Sequence, residues 1–231
     1  HTYILKNDEW IRHSFQKCYH GEYLNFNREK LGLDDYQMVV IVPLNNNFSP
    51  EKTKILPNPY SNKYDKSPVA ERASYNFCIK NSCSSYQGEY PLAMTKIKKS
   101  SFFSFNPLIP KKEINIKSKV ILMNLNVNSN IKINHKVNFY LAKSKEIIQS
   151  IYINTNSISF HDFPTQYFNS GNHEIFLSCA TSTFIPIYLN YSIFNNQYEI
   201  NVEHSHPPGE MIWGLNKLNF IRKIKQNWIL K

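Results

Sequence analysis

The stretch Val120–Val127, VILMNLNV, carries the clearest strand pattern in the chain. Apolar residues occupy positions 121, 123, 125 and 127, whereas the alternate positions end in Asn124 and Asn126. Because successive side chains of a β-strand point to opposite faces, this alternation predicts a strand. Asn128-Ser129-Asn130 follows it directly and is typical of a turn.

Similar short patterns recur on both sides of this stretch, separated by clusters of Asn, Ser and Gly. Candidate strands lie at 75–79, 90–96, 102–105, 137–141, 151–154, 175–180, 184–189 and 198–204. Many short strands with such turns predict a mainly β protein, with an antiparallel β-sandwich or jelly-roll-like core over residues 74–214. The chain has no Gly-rich phosphate loop and no alternation of strands with helices, which disfavours a nucleotide-binding α/β fold.

The two ends of the chain carry different patterns. Residues 1–73 are expected to form an extension with a helix starting near Asn7, a short strand at 36–42 and a Pro/Asn-rich loop. The helix prediction rests on apolar residues at helical spacing and on Gly21 as its end. Residues 215–231 are rich in Lys and Arg, lack acids and predict a basic amphipathic C-terminal helix.

The positive charge of the chain is mostly lysine. A net charge of +10 comes with 23 Lys but only 4 Arg, beside 29 Asn and 26 Ile, the residues that an AT-rich genome over-uses. Nucleic-acid readers favour Arg, whose planar guanidinium pairs bidentately with phosphate and guanine. A nucleic-acid partner is therefore not expected. The acid-free segment 215–231 is the local exception, suited to a peripheral membrane surface or an acidic protein.

The four cysteines bear on the compartment. Cys78 and Cys83 are spaced either for a small disulfide loop or for two zinc ligands, and Cys18 and Cys179 lie among apolar residues. Reduced thiols and a cytoplasmic location are the default expectation for such a chain. No run of 18 apolar residues exists, so no transmembrane helix is expected.

The strongest constellation of metal-ligating residues lies at the end of the last candidate strand. His204 and His206 share a strand face if the strand continues to Pro207, and Glu210 follows across a Pro-Pro-Gly turn. Two imidazoles and one carboxylate suit a single iron, manganese or zinc ion. The alternative is that the two histidines end the strand through hydrogen bonds, before a rigid turn.

This segment resembles the first metal motif of the cupin family, where His-x-His-x3-Glu lies on a β-hairpin. The resemblance implies that the two histidines and the glutamate are ligands of a metal-dependent enzyme. The chain departs from the motif at Tyr198 and Lys217, where cupins carry Gly, and no His follows Glu210. A further ligand would come from upstream, from His135, His161 or His173.

A second candidate site combines Arg72 with Tyr86, Gln87, Glu89 and Tyr90. Arginine binds anionic groups, while aromatic, amide and carboxylate side chains are the types that line sugar sites. This set predicts a ligand site for a polar small molecule or glycan. The alternative is a Gly-containing turn with a structural Arg–Glu pair.

No complete catalytic motif is present, and no Gly-x-Ser-x-Gly elbow occurs. His161-Asp162 alone supplies a candidate for a general base. The leading expectation is therefore a non-catalytic β-sandwich binding module for a polar or carbohydrate ligand. The alternatives are a cupin-like metal-dependent enzyme, and a structural or assembly protein that docks through its basic C-terminal helix.

Overall fold

The computed structural model describes most of the β-rich part of the chain. The described residues are 1–17, 19, 22–34, 37–42, 49–57, 72–89, 102–105, 116–141, 144–163, 175–182, 184–194, 197–204, 219, 222 and 223. They form one helical turn, α1 (Arg28–Leu31), and fourteen strands: β1 (Thr2–Lys6), β2 (Glu9–Ser14), β3 (Val39–Ile41), β4 (Lys52–Thr53), β5 (Arg72–Ile79), β6 (Ser82–Glu89), β7 (Phe102–Phe105), β8 (Lys117–Asn124), β9 (Asn134–Leu141), β10 (Ile147–Asn154), β11 (Ser157–Asp162), β12 (Ile175–Cys179), β13 (Ile185–Phe194) and β14 (Gln197–His204).

Two four-stranded antiparallel sheets build a β-sandwich-like core, which confirms the mainly β fold class. Sheet I has the order β10-β9-β12-β7, and sheet II has the order β11-β8-β13-β14. One buried apolar cluster draws residues from both sheets, so their inner faces pack against each other. Its members from the strands include Val120, Leu122, Val137, Phe139, Ile153, Ile175, Leu177 and Tyr188.

The alternation predicted for residues 120–127 holds up to the end of β8. Leu122 faces sheet I inside the core, whereas Ile121 joins a second apolar cluster on the outer face of sheet II. Ile187 and Val202 complete the buried part of that outer cluster. Sheet II is therefore apolar on both faces, and the apolar side chains of its outer face have to be shielded from water by another part of the chain.

The β5–β6 hairpin, called the ribbon below, supplies part of that cover. Phe77 of β5 packs against the outer cluster. On β6, the Ser82 hydroxyl donates a hydrogen bond to the Tyr198 carbonyl, and the Val202 N–H donates to Ser84 Oγ at 3.1 Å. Because β14 is an edge strand, it has no neighbouring strand on this side within its sheet. The two serines supply hydrogen-bond partners to its backbone there.

The helix predicted from Asn7 to Gly21 is wrong, because this stretch contains a β-hairpin. β1 and β2 pair antiparallel across a two-residue turn in which Asn7 and Asp8 both have positive φ, 50° and 63°. Two central residues with positive φ make a type I′ turn, whose twist matches that of paired strands. β3 and β4 complete this N-terminal sheet in the order β3-β1-β2-β4.

The N-terminal sheet packs against the segment that follows β8. Trp10 is fully buried in a cluster with Leu125, and its indole Nε1 donates to the Val127 carbonyl at 2.9 Å. The β1–β2 turn lies over the same segment, where Ser129 Oγ donates to the Asp8 carbonyl at 2.7 Å. These contacts join the N-terminal sheet to the segment that follows β8.

The remaining helical structure is limited within the described residues. α1 begins at the N-cap Asn27, whose side chain accepts from the Lys30 N–H at 2.8 Å, and ends at Gly32 with a φ of 58°. The predicted C-terminal helix at 215–231 lies outside the described residues, apart from three isolated positions. Among the described residues, no helix has the length and apolar character that crossing a membrane requires.

Candidate functional site

The outward face of the ribbon holds most of the predicted ligand-binding residues. The register places Arg72 opposite Glu89, Ser74 opposite Gln87 and Asn76 opposite Ser85. By strand alternation these six positions share one face with Cys78 and Cys83, and Ser74, Asn76 and Ser85 are exposed. Every position on this face is therefore polar or a cysteine, while Phe77 on the other face is turned to the core.

The same register separates the predicted aromatic residues from this face. Tyr86 pairs with Tyr75, which shares the face of Phe77 that packs on sheet II. Tyr86 therefore falls at a register position on the ribbon face opposite to that of positions 87 and 89. Tyr90 lies outside the described residues. A ligand on the outward face meets hydrogen-bonding groups rather than a stacking tyrosine from this set.

A disulfide joins the two ribbon strands next to their turn. Cys78 and Cys83 are register partners, both are exposed, and their Cα atoms are 4.2 Å apart. This spacing is close to that of a non-hydrogen-bonded pair in an antiparallel ladder, the position that brings side chains nearest together. Of the two sequence alternatives for this pair, the structure contains the disulfide.

The predicted metal ligands are only partly within the described residues. His204 ends β14, and its register partner is Ile187 of β13. His206 and Glu210 lie outside the described residues, as does the upstream candidate His173. Among the described residues, no group of three His, Cys, Asp or Glu side chains is arranged to hold a metal ion.

His161 is placed far from His204. β11 and β14 are opposite edges of sheet II, so three strand spacings of about 4.8 Å separate their backbones. His204, Ile187, Ile121 and Phe160 form one row across the sheet, and His161 follows Phe160 on the opposite face. A single metal ion therefore cannot join His161 to His204 across this sheet.

His161 and Asp162 do not form the predicted acid–base pair. The Asp162 carboxylate receives a hydrogen bond from Lys119 Nζ at 2.6 Å, and alternation puts it on the face opposite to His161. The His161 Nε2 atom is buried and has no hydrogen-bond partner in the described part of the chain. Burial lowers the pKa of His161, although the nearby Asp162 charge opposes that effect.

His135 is buried at the start of β9, and both of its ring nitrogens have hydroxyl partners. Its Nδ1 is 2.9 Å from the Thr181 hydroxyl, and its Nε2 is 3.0 Å from the Thr155 hydroxyl. The Thr155 hydroxyl also donates to the Ile133 carbonyl at 3.2 Å. That donation uses its only proton, so His135 Nε2–H donates to Thr155, and Nδ1 accepts from Thr181.

Burial favours the neutral form of His135. The side chain is 3 % exposed, and burial lowers its pKa. The Cys179 sulfur is 3.4 Å from the Thr181 hydroxyl, which ends the chain of contacts at a buried thiol. Both ring nitrogens are engaged by hydroxyl groups, so His135 is a structural histidine rather than a metal ligand.

Sheet II has polar residues on its inner face at the end where β8 begins and β13 ends. The Ser118 hydroxyl donates to Asn190 Oδ1, and the Ser192 hydroxyl donates to Glu199 Oε2 at 3.1 Å. The Asn190 side-chain nitrogen is buried without a hydrogen-bond partner among the described residues. Asn190 also begins a glycosylation sequon, but at 7 % exposure inside β13 it offers no access to a transferase.

Comparison with known proteins assigns no relative to this chain. No protein-family model, no curated protein and no solved structure matches it. The fold and the geometry of these sites therefore carry the functional argument.

Proposed function

We propose that the chain is a non-catalytic β-sandwich module that binds a polar ligand on the outward face of the ribbon. The observation that carries this proposal is the register of β5 and β6, which places six polar residue types at positions on one face: Arg72, Ser74, Asn76, Ser85, Gln87 and Glu89. These groups supply hydrogen-bond donors and acceptors in a two-dimensional array. A carbohydrate or another polyhydroxylated molecule is the ligand class that such an array fits.

The rigidity of the ribbon supports the proposal. The Cys78–Cys83 disulfide restrains the two strands, and contacts through Phe77, Ser82 and Ser84 hold the ribbon on sheet II. A pre-ordered surface loses less conformational entropy on binding than a mobile one, so each hydrogen bond contributes more to affinity. The register position of Arg72, at the open end of the ribbon, supplies a residue type that binds an acidic substituent.

The disulfide also bears on the compartment. The cytoplasmic expectation rested on reduced thiols, whereas an exposed disulfide persists in an oxidising environment. We therefore favour an oxidising compartment as the working location of the protein.

A glycan array carrying neutral and acidic oligosaccharides tests the proposal. The wild-type chain should bind a subset of the glycans, and Ser74→Ala/Asn76→Ala should lose that binding. Asn154→Ala is the matched control, because Asn154 is an exposed asparagine on β10 of sheet I. Tyr152→Ala tests whether the ligand binds on sheet I instead, because Tyr152 is an aromatic side chain that is 62 % exposed on the same strand.

Two results would overturn the proposal. Uniformly blank arrays would exclude carbohydrates, and blank screens with other polyhydroxylated and anionic small molecules would exclude a polar ligand altogether. Loss of binding in Tyr152→Ala, with binding retained in the ribbon variant, would move the site to sheet I.

A further inference from the structure

We propose that the Cys78–Cys83 disulfide is a thiol–disulfide exchange site, and that its reduction loosens the ribbon from sheet II. Both cysteines are exposed beside a two-residue turn, so a reductant can approach the bond without unfolding the core. Exposed disulfides are the labile class, in contrast to those buried in the core of secreted domains. The proposal concerns the ribbon itself and is independent of any ligand.

Among the described residues, the ribbon is a two-stranded sheet of its own and shares no β ladder with sheet II. An isolated two-stranded hairpin is marginal in water, and stability comes from a third strand or from packing. Phe77 and the two serines supply that packing, and the serine bonds run from side chain to backbone rather than forming a β ladder. The disulfide spans a sequence separation of only 5, so it restrains the turn and the adjacent pairs directly.

Loosening the ribbon has two consequences for sheet II. The Val202 N–H loses the Ser84 hydroxyl as its acceptor, which frees a backbone donor on an edge strand. Phe77 also withdraws from the outer cluster of Ile121, Ile187 and Val202. Reduction therefore exposes apolar residues on the outer face of sheet II and a backbone N–H of β14 to solvent.

The exchange reaction needs a dithiol reductant as its second substrate. A thiolate of the reductant attacks one cysteine sulfur, the Cys78–Cys83 bond breaks, and a mixed disulfide forms. The second thiol of the reductant then displaces the cysteine. The ribbon gains two electrons and two protons as a pair of thiols, and the reductant becomes a disulfide.

Amide hydrogen exchange at Val202 tests the proposal on the full chain. Exchange is followed by NMR in the oxidised chain and after incubation with dithiothreitol under native conditions. The chain-entropy cost of closing so short a loop predicts that Val202 exchanges on the order of 30–40-fold faster after reduction. The amide of Leu122, inside the core, should keep its rate.

Two variants and one labelling experiment serve as controls. Cys78→Ser/Cys83→Ser should show the fast Val202 rate with and without dithiothreitol, which excludes the buried thiol of Cys179 as the source. Ser84→Ala should raise the Val202 rate in the oxidised chain, even if the double variant fails to fold. Alkylation after native reduction should label Cys78 and Cys83.

Two outcomes would overturn the proposal. In the first, the disulfide resists dithiothreitol until the chain is denatured, which makes it a structural cross-link. In the second, the disulfide is reduced but Val202 exchanges at an unchanged rate, which means that the ribbon stays docked without it.

Discussion

Replacement of Trp10 tests whether the N-terminal sheet is part of the cooperative core. Trp10 is fully buried against Leu125, and its indole N–H donates to the Val127 carbonyl. Trp10→Ala should lower the free energy of unfolding by about 3–5 kcal/mol, because the cluster cannot refill the lost volume. Trp10→Phe keeps most of the ring and removes only the indole donor, and the Val127 carbonyl still accepts from the Leu56 N–H at 3.0 Å, so the cost should be about 0.5–1.5 kcal/mol.

Guanidinium unfolding followed by far-UV circular dichroism measures both values without using Trp10 as the probe. Tyr23→Ala is the control, because Tyr23 is 90 % exposed and its loss should change stability by less than about 0.5 kcal/mol. A single transition that shifts as a whole would show that the N-terminal sheet unfolds together with the sandwich. A loss below about 1 kcal/mol for Trp10→Ala would refute the burial argument.

Three further perturbations test the hydrogen-bonded His135, the polar end of sheet II around Ser118, and the core around Phe139. The pKa of His135 is lowered in the folded chain, so the unfolded chain binds more protons below its ordinary pKa of 6.5. Stability should therefore fall as the pH drops below about 6.5, and His135→Gln should flatten that slope, as pH-dependent unfolding midpoints would show. Ser118→Ala removes the donor to Asn190 and should cost about 1–3 kcal/mol in urea unfolding. Phe139→Ala should cost about 3–5 kcal/mol in the same assay, because Phe139 is fully buried edge-on to another ring; values under about 1 kcal/mol for either would contradict the packing described.

The sandwich strands were predictable because their two faces differ in polarity or are both buried. Residues 120–123 are all apolar because Leu122 lies between the sheets and Ile121 under the ribbon, and the alternation of apolar residues with Asn124 and Asn126 then indicates the strand. Strand β6 was not predictable in this way. Its sequence, SCSSYQGE, has low apolar content, because its serines contact the backbone of β14 instead of filling a core.

The N-terminal hairpin was misread because its apolar residues also fit a helical period. Trp10, Ile11 and Phe15 are spaced as in a helix, and Asn7 is a good N-cap residue. Asparagine and aspartate also tolerate positive φ, and the two-residue turn at Asn7 and Asp8 uses that property. Burial of Trp10 against a segment more than a hundred residues away then favours the strand, and local sequence carries no signal of that contact.

The candidate site shows the same division between local and distant information. Residue types alone marked Arg72, Gln87 and Glu89 as a polar set, and their shared face follows once the hairpin register is known. The separation of Tyr86 from them also follows from alternation, but only if the segment is a strand rather than a turn. For His135, no sequence pattern indicates that Thr155 and Thr181 would meet its two ring nitrogens.

Ligand binding and redox-dependent docking both involve the ribbon, but they can be tested separately because they use its two different faces. Its inner face covers apolar residues of sheet II through Phe77, and its outer face presents polar groups to solvent. Without the ribbon, the outer face of sheet II would be an exposed apolar patch, the kind of surface that drives association. Asn76→Ala should therefore affect ligand binding without changing hydrogen exchange at Val202, because Asn76 is exposed on the outward face. Ser84→Ala should speed that exchange in the oxidised chain and leave the outward face chemically intact. A variant of one face that reproduced the effect of the other would show that the ribbon does not behave as a rigid two-sided element.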